Sequence, residues 1–150
     1  MVEHYRETFD EIQKWAEDEF PNRRLILRKA FNAHRQRDYE LSIPVMLAQA
    51  DGIGAEIFGF SPYESGKKIF KKHIEQKLDP LSVKLFRDYF SCVAQELAIK
   101  KSARSDTQPP FPLSRHLVLH GISTDYATEV NALKTISWLQ YIIAFKAEAK

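Results

Sequence analysis

"ISWLQYIIAF", residues Ile136–Phe145, is the stretch whose reading decides the fold. It is apolar on nearly every side of a helix, and such a helix belongs at the centre of a packed domain or partly at an interface. It lies within "ATEVNALKTISWLQYIIAFKAEAK" (127–150), which reads as the last helix of the chain. No window approaches 18 uninterrupted apolar residues, so no membrane span is expected. The rest of the chain supplies the helices that would surround this one.

Upstream, the period is helical almost throughout. Val2, Tyr5, Phe9, Ile12, Trp15 or Ala16, and Phe20 recur at spacings of three and four, a single apolar stripe on an acidic helix. Pro21-Asn22 breaks it, and Asn22 is expected to cap the next helix, "RRLILRKAFNAHRQR". A third helix is expected within "RDYELSIPVMLAQADGIGAEIFGF", stopping near Phe58-Gly59, with Pro44 in its first turn or at a kink. "KKIFKKHIEQK" reads as a short helix. Asp79-Pro80 then starts a longer one through "LSVKLFRDYFSCVAQELAIKK", since proline suits the first helical position. "SARSDTQPPFP" is a stiff loop, and "SRHLVLHG" (114–121) is a short helix that Gly121 ends. No strand alternation and no repeat is visible. The expected fold is all-α, an up-and-down bundle of five to six helices forming one domain over residues 1–150.

Composition bounds the function. The 150 residues have a net charge of +2, too small by itself to argue for nucleic acid. The distribution is uneven: residues 1–20 hold two basic and seven acidic side chains, whereas 22–38 hold six and one. Such segregation would lay a positive face along the domain, or would simply mark solvated helix faces. Cys92 is the lone cysteine and forms no internal disulfide, which fits a reducing compartment. With no signal peptide visible, a cytoplasmic location is expected.

The chemistry concentrates in "SRHLVLHG", where three groups that can be cationic interrupt an apolar turn. Burying a charge is costly unless it is paired. Residues five apart lie about 140° apart around a helix and about 7.5 Å along it, so Arg115 and His120 cannot stack on one straight face. They can still border one cleft. His116 and His120, four apart, share a face. A histidine can move a proton near neutrality, and an arginine can grip phosphate oxygens in bidentate fashion. That combination suits RNA cleavage by attack of the 2′-hydroxyl, which needs no metal. The alternatives are structural: Arg115 paired with a carboxylate such as Asp51 or Asp125, and His120 capping carbonyls. A zinc site built on His116 and His120, with Asp125 or Glu129 added, is the third reading.

"RHLVLH" also resembles the R-x4-6-H signature of the HEPN superfamily, where the residue after the arginine is commonly Asn, Asp or His; here it is His116. "RHLVLHG" with "DYATEVNALKTISWLQYI" is similar to the C-terminal block of a set of bacterial proteins, and "IPVMLAQADGIGAEI" to one of their upstream helices. The resemblance covers about a third of the chain. It implies a helical, cofactor-free endoribonuclease that works as a homodimer on RNA, in a toxin or phage-defence setting, with an antitoxin or other partner protein. Arg115 would then stabilise the transition-state phosphate, His120 would serve as general acid or base, and His116 would orient a phosphate or the partner residue. The tyrosine that some HEPN toxins carry two residues after the histidine is Ile122 here. Many HEPN domains bind without cutting, so a non-catalytic dimer binding a nucleotide or a protein is the rival expectation.

Around the motif, Asp51 would orient it or would be an ordinary helix-end carboxylate, and Asn131 and Asp125 are further supporting candidates, with Lys134 more simply solvent-facing. Lys67, Lys68, Lys71 and Lys72 form a basic cluster that would steer RNA through its phosphates, or form a solvated face.

Overall fold

The computed structural model describes residues 2–59, 61 and 113–148. Among these the secondary structure is helical, with no strand: α1 (Val2–Glu19), a 3-10 turn (Pro21–Arg23), α2 (Arg24–Arg35), α3 (Tyr39–Phe58), α4 (Arg115–Leu119) and α5 (Glu129–Glu148). The all-α expectation holds for them, and five helices pack together. The helices expected at 67–77 and 80–101, Cys92 and the four lysines of 67–72 lie outside the described residues.

The first helix forms, and of its expected stripe Phe9, Ile12 and Ala16, with Phe20 just past the helix end, are buried, while the side chains of Val2 and Tyr5 lie outside those described. Asn22 does not cap α2. Pro21 takes the first position of the 3-10 turn, and Arg23 stands at the cap of α2 with no side-chain hydrogen bond there. Proline fits that position because its missing N–H would be unpaired there anyway.

Arg28 Nη2 meets Glu17 Oε2 at 2.6 Å, Arg24 meets Asp18 at 3.7 Å, and Arg35 pairs with Asp10. These pairs run α1 and α2 antiparallel. They also face the basic segment toward acidic partners, so four of its six positive charges (Arg23 pairs with Glu56 on α3) are matched rather than spread as a free cationic face. The Arg28 guanidinium holds the Glu17 carboxyl below the usual carboxylate range, against the opposing effect of burial.

Helix α3 is capped by Asp38, whose carboxylate accepts from the Leu41 amide. It ends at Gly59, which adopts φ +75° and donates to the Ala55 carbonyl at 2.9 Å. Pro44 lies inside the helix, in its second turn rather than its first. Two faces of α3 are buried. Met46, Ala50 and Ile53 join the main core with Leu27, Phe31 and α5, while Ile43 and Leu47 face Leu113, Val118 and Ala132.

Helix α5 packs on α3 and α1. Ile136, Leu139, Ile142 and Ile143 are wholly enclosed, so these four apolar residues of the quoted stretch lie in the core. Its end is tied to α1, where Lys146 donates to the Glu19 carbonyl and lies over the Phe20 ring at 4.3 Å. Among the described residues no helix is long and apolar enough to cross a membrane.

Candidate functional site

The motif occupies α4, and the way this short helix is seated fixes where its side chains go. Ser114 is extended (φ −119°, ψ 118°) and its hydroxyl accepts from the Leu117 amide at 3.5 Å, a weak N-cap. Gly121 at φ +68° ends the helix. Its amide bonds the Val118 carbonyl at 3.0 Å, and the Ile122 amide bonds the Leu117 carbonyl at 2.9 Å. This paired closure satisfies carbonyls that the helix leaves open, and glycine adopts the left-handed conformation without steric cost.

Leu113 and Val118 are buried and hold α4 against α3 through Ile43 and Leu47. At about 100° per residue, positions 116 and 120 each lie about 200° from Val118, on the outward face. His120 is accordingly exposed and His116 half-buried, with ring centroids 4.2 Å apart and planes at 48°. Arg115 lies about 60° from Val118, on the flank of the buried face. Its Nη2 donates to Asp51 Oδ2 at 3.0 Å, with the two side chains 28% and 27% exposed. The second oxygen, Asp51 Oδ1, accepts from the Ser61 hydroxyl.

Asp51 thus contacts the motif directly. Of the two carboxylates expected as candidate partners of the arginine, it is the one seen bonded to it. Asp125 instead accepts from Ser123 Oγ at 2.9 Å within the loop. Asn131 is 1% exposed, and its side-chain amide donates to the Tyr126 carbonyl at 2.9 Å. Its backbone amide donates to Thr128 Oγ1 at 3.2 Å, so it fastens the loop to the start of α5. Lys134 is half-buried on α5.

Two contributors were not read from the sequence. Ser61 follows the Gly59 stop by two residues, and only the chain's return along α3 brings it to Asp51. Tyr126 packs against the Ile43–Leu47–Val118 cluster and its hydroxyl donates to the Glu40 carbonyl at 3.1 Å. Among the described residues, no three His, Cys, Asp or Glu side chains gather as a metal-holding group. A separate cleft between α1 and α2, lined by Asp10, Glu17, Asp18, Arg28 and Arg35 among others, contains the Arg28–Glu17 and Arg35–Asp10 pairs and none of the motif residues.

Compared with protein-family models, curated proteins and solved structures, the chain matches none. The reading of the site therefore stands on its residues.

Proposed function

We propose that this chain is a HEPN-like helical domain acting as a metal-independent endoribonuclease. The observation that carries the reading is the exposure of His120 at the end of α4, with the His116 ring 4.2 Å from its own and Arg115 anchored on the adjoining flank. In the reaction a 2′-hydroxyl of RNA loses its proton to a histidine and attacks the adjacent phosphorus. The bond from phosphorus to the 5′-oxygen breaks, and that oxygen takes up a proton from a histidine acting as acid. The products are a 2′,3′-cyclic phosphate and a 5′-hydroxyl end. His120 is the general acid or base, His116 orients a phosphate or its partner ring, and Arg115 offsets charge on the phosphorane. A homodimer would place two such motifs about one RNA, and Lys67, Lys68, Lys71 and Lys72 would contribute steering charge.

The test is incubation of the purified chain with structured and single-stranded RNA, with and without chelator. Cleavage that survives chelation, yields cyclic phosphate ends and falls at least about a hundredfold in His120→Ala is the expected result. Equal cleavage by His120→Ala overturns the reading.

One observation favours a second reading. Arg115 is engaged by Asp51, as an arginine with a purely architectural role would be. On that reading the chain is a non-catalytic module for a nucleotide or a partner protein. It would leave RNA intact, and a nucleotide would raise its Tm, because a ligand that binds only the folded state stabilises it by mass action.

A further inference from the structure

We infer that Ser61 is a positioning residue for Arg115, acting through Asp51. The role rests on the ribonuclease reading above and adds to it a residue outside the motif.

Both oxygens of the Asp51 carboxylate are engaged, each by a donor from a different part of the chain: Oδ1 by the Ser61 hydroxyl and Oδ2 by Arg115 Nη2 at 3.0 Å. A carboxylate held at one oxygen can still rotate about its last side-chain bond. Held at both, it has a fixed plane. A guanidinium is planar and presents its five donors in a rigid fork, so fixing one nitrogen against a fixed carboxylate sets the direction of the whole fork. Ser61 thereby determines how Arg115 faces an incoming phosphate without touching that phosphate.

The backbone explains why Ser61 can do this. α3 stops at Gly59, where φ of +75° turns the chain away from the helical path, and Ser61 comes to lie beside a residue ten positions earlier. The Arg115 and Asp51 side chains are 28% and 27% exposed. Partial removal from water strengthens the contact relative to a surface pair, yet leaves the arginine within reach of a ligand. Misaimed arginines lose more than attraction, because bidentate recognition of phosphate depends on the angle of the fork.

The experiment uses the full chain, a single-stranded RNA oligonucleotide, and the variants Ser61→Ala and Ser61→Thr, the alanine change also in an Arg115→Ala background. Ser61→Ala is expected to lower kcat about tenfold with KM little changed, the scale of one hydrogen bond to a charged group. Ser61→Thr keeps the hydroxyl and is expected to stay within about twofold of wild type. In the Arg115→Ala background, Ser61→Ala is expected to have no further effect. An unchanged rate in Ser61→Ala, or the same fold-loss with and without Arg115, overturns the inference while leaving the ribonuclease reading intact. A wild-type chain that cuts no RNA overturns that reading instead, and the 15N side-chain resonance of Arg115 Nε then tests the link without turnover. A shift in Ser61→Ala that is absent in Ser61→Thr supports the link, and no shift in Ser61→Ala overturns it.

Discussion

The Tyr126 hydroxyl donates at 3.1 Å to the backbone carbonyl of Glu40, four residues before Pro44. In a helix that carbonyl would accept from the amide of residue 44, and proline has none. The tyrosine supplies the missing donor from 86 residues away. It also packs against the apolar cluster under α4, so one side chain repairs α3 and secures the loop leading into α5.

Tyr126→Phe should therefore lower stability by about 1 kcal/mol, the net worth of one such hydrogen bond. In a Pro44→Ala background, the new amide takes the Glu40 carbonyl and the loss should shrink towards zero. Urea unfolding of the four chains measures the coupling. Equal losses in both backgrounds would mean that the hydroxyl does not answer the proline.

Gly121 makes a second point about the site's architecture. Its φ is +68°, and a methyl added there would meet nothing within 4 Å. The cost of Gly121→Ala is thus backbone strain alone, about 1 kcal/mol, and Gly121→Asn should cost less because asparagine tolerates the left-handed region. Thermal unfolding should rank glycine above asparagine above alanine.

At Gly52 space, not backbone, is the constraint. A Cβ there would lie 2.7 Å from Arg23 Nη1 and 2.8 Å from Nη2. That guanidinium is held by Gln49 at 2.9 Å and by Glu56 through Nε at 2.9 Å. Gly52→Ala gains about 1 kcal/mol of helix propensity but pushes Arg23 off these partners. The substitution should be neutral or destabilising in the natural chain and stabilising once Arg23→Ala has cleared the space. A stabilising effect of the same size in both backgrounds would show that Arg23 does not hold that position.

His34 gives the chain an acid-sensitive joint. Its ring stacks on Phe9 at 4.8 Å and lies 5.4 Å from Tyr39, with Nδ1 enclosed and bonded to nothing among the described residues. Burial pushes its pKa below the ordinary value of 6.5, Glu129 opposes that, and Arg35 adds to it. The unfolded chain therefore takes up a proton at a higher pH than the folded chain does. Stability from this residue is complete above about pH 6.5 and declines as pH falls from there toward the depressed folded value. Urea midpoints measured from pH 8 to pH 5 should fall less steeply at the acid end in His34→Phe, which keeps the stack. Parallel profiles would remove His34 as the cause.

Much of the helix layout was legible because its signals are local. The stripe from Phe9 to Phe20 and the stops at Gly59 and Gly121 all depend on neighbours within a turn. Asn22 misled for a related reason: capping preference is local too, but the adjacent Pro21 set a 3-10 turn that moved the start of α2 past it. The site was legible in part. The shared face of His116 and His120 follows from their spacing, whereas the sequence named both Asp51 and Asp125 as carboxylates that could pair with Arg115.

By itself the sequence determined which segments coil and where several of them stop, since those outcomes are set by backbone preference and by contacts three or four residues apart. Only the tertiary structure decided that Arg115 meets Asp51, that Ser61 steadies that carboxylate, and that Tyr126 serves the carbonyl Pro44 leaves open. Leu113 and Val118 seat α4 on α3, and that burial, which has no local period to announce it, brings distant polar groups within bonding distance.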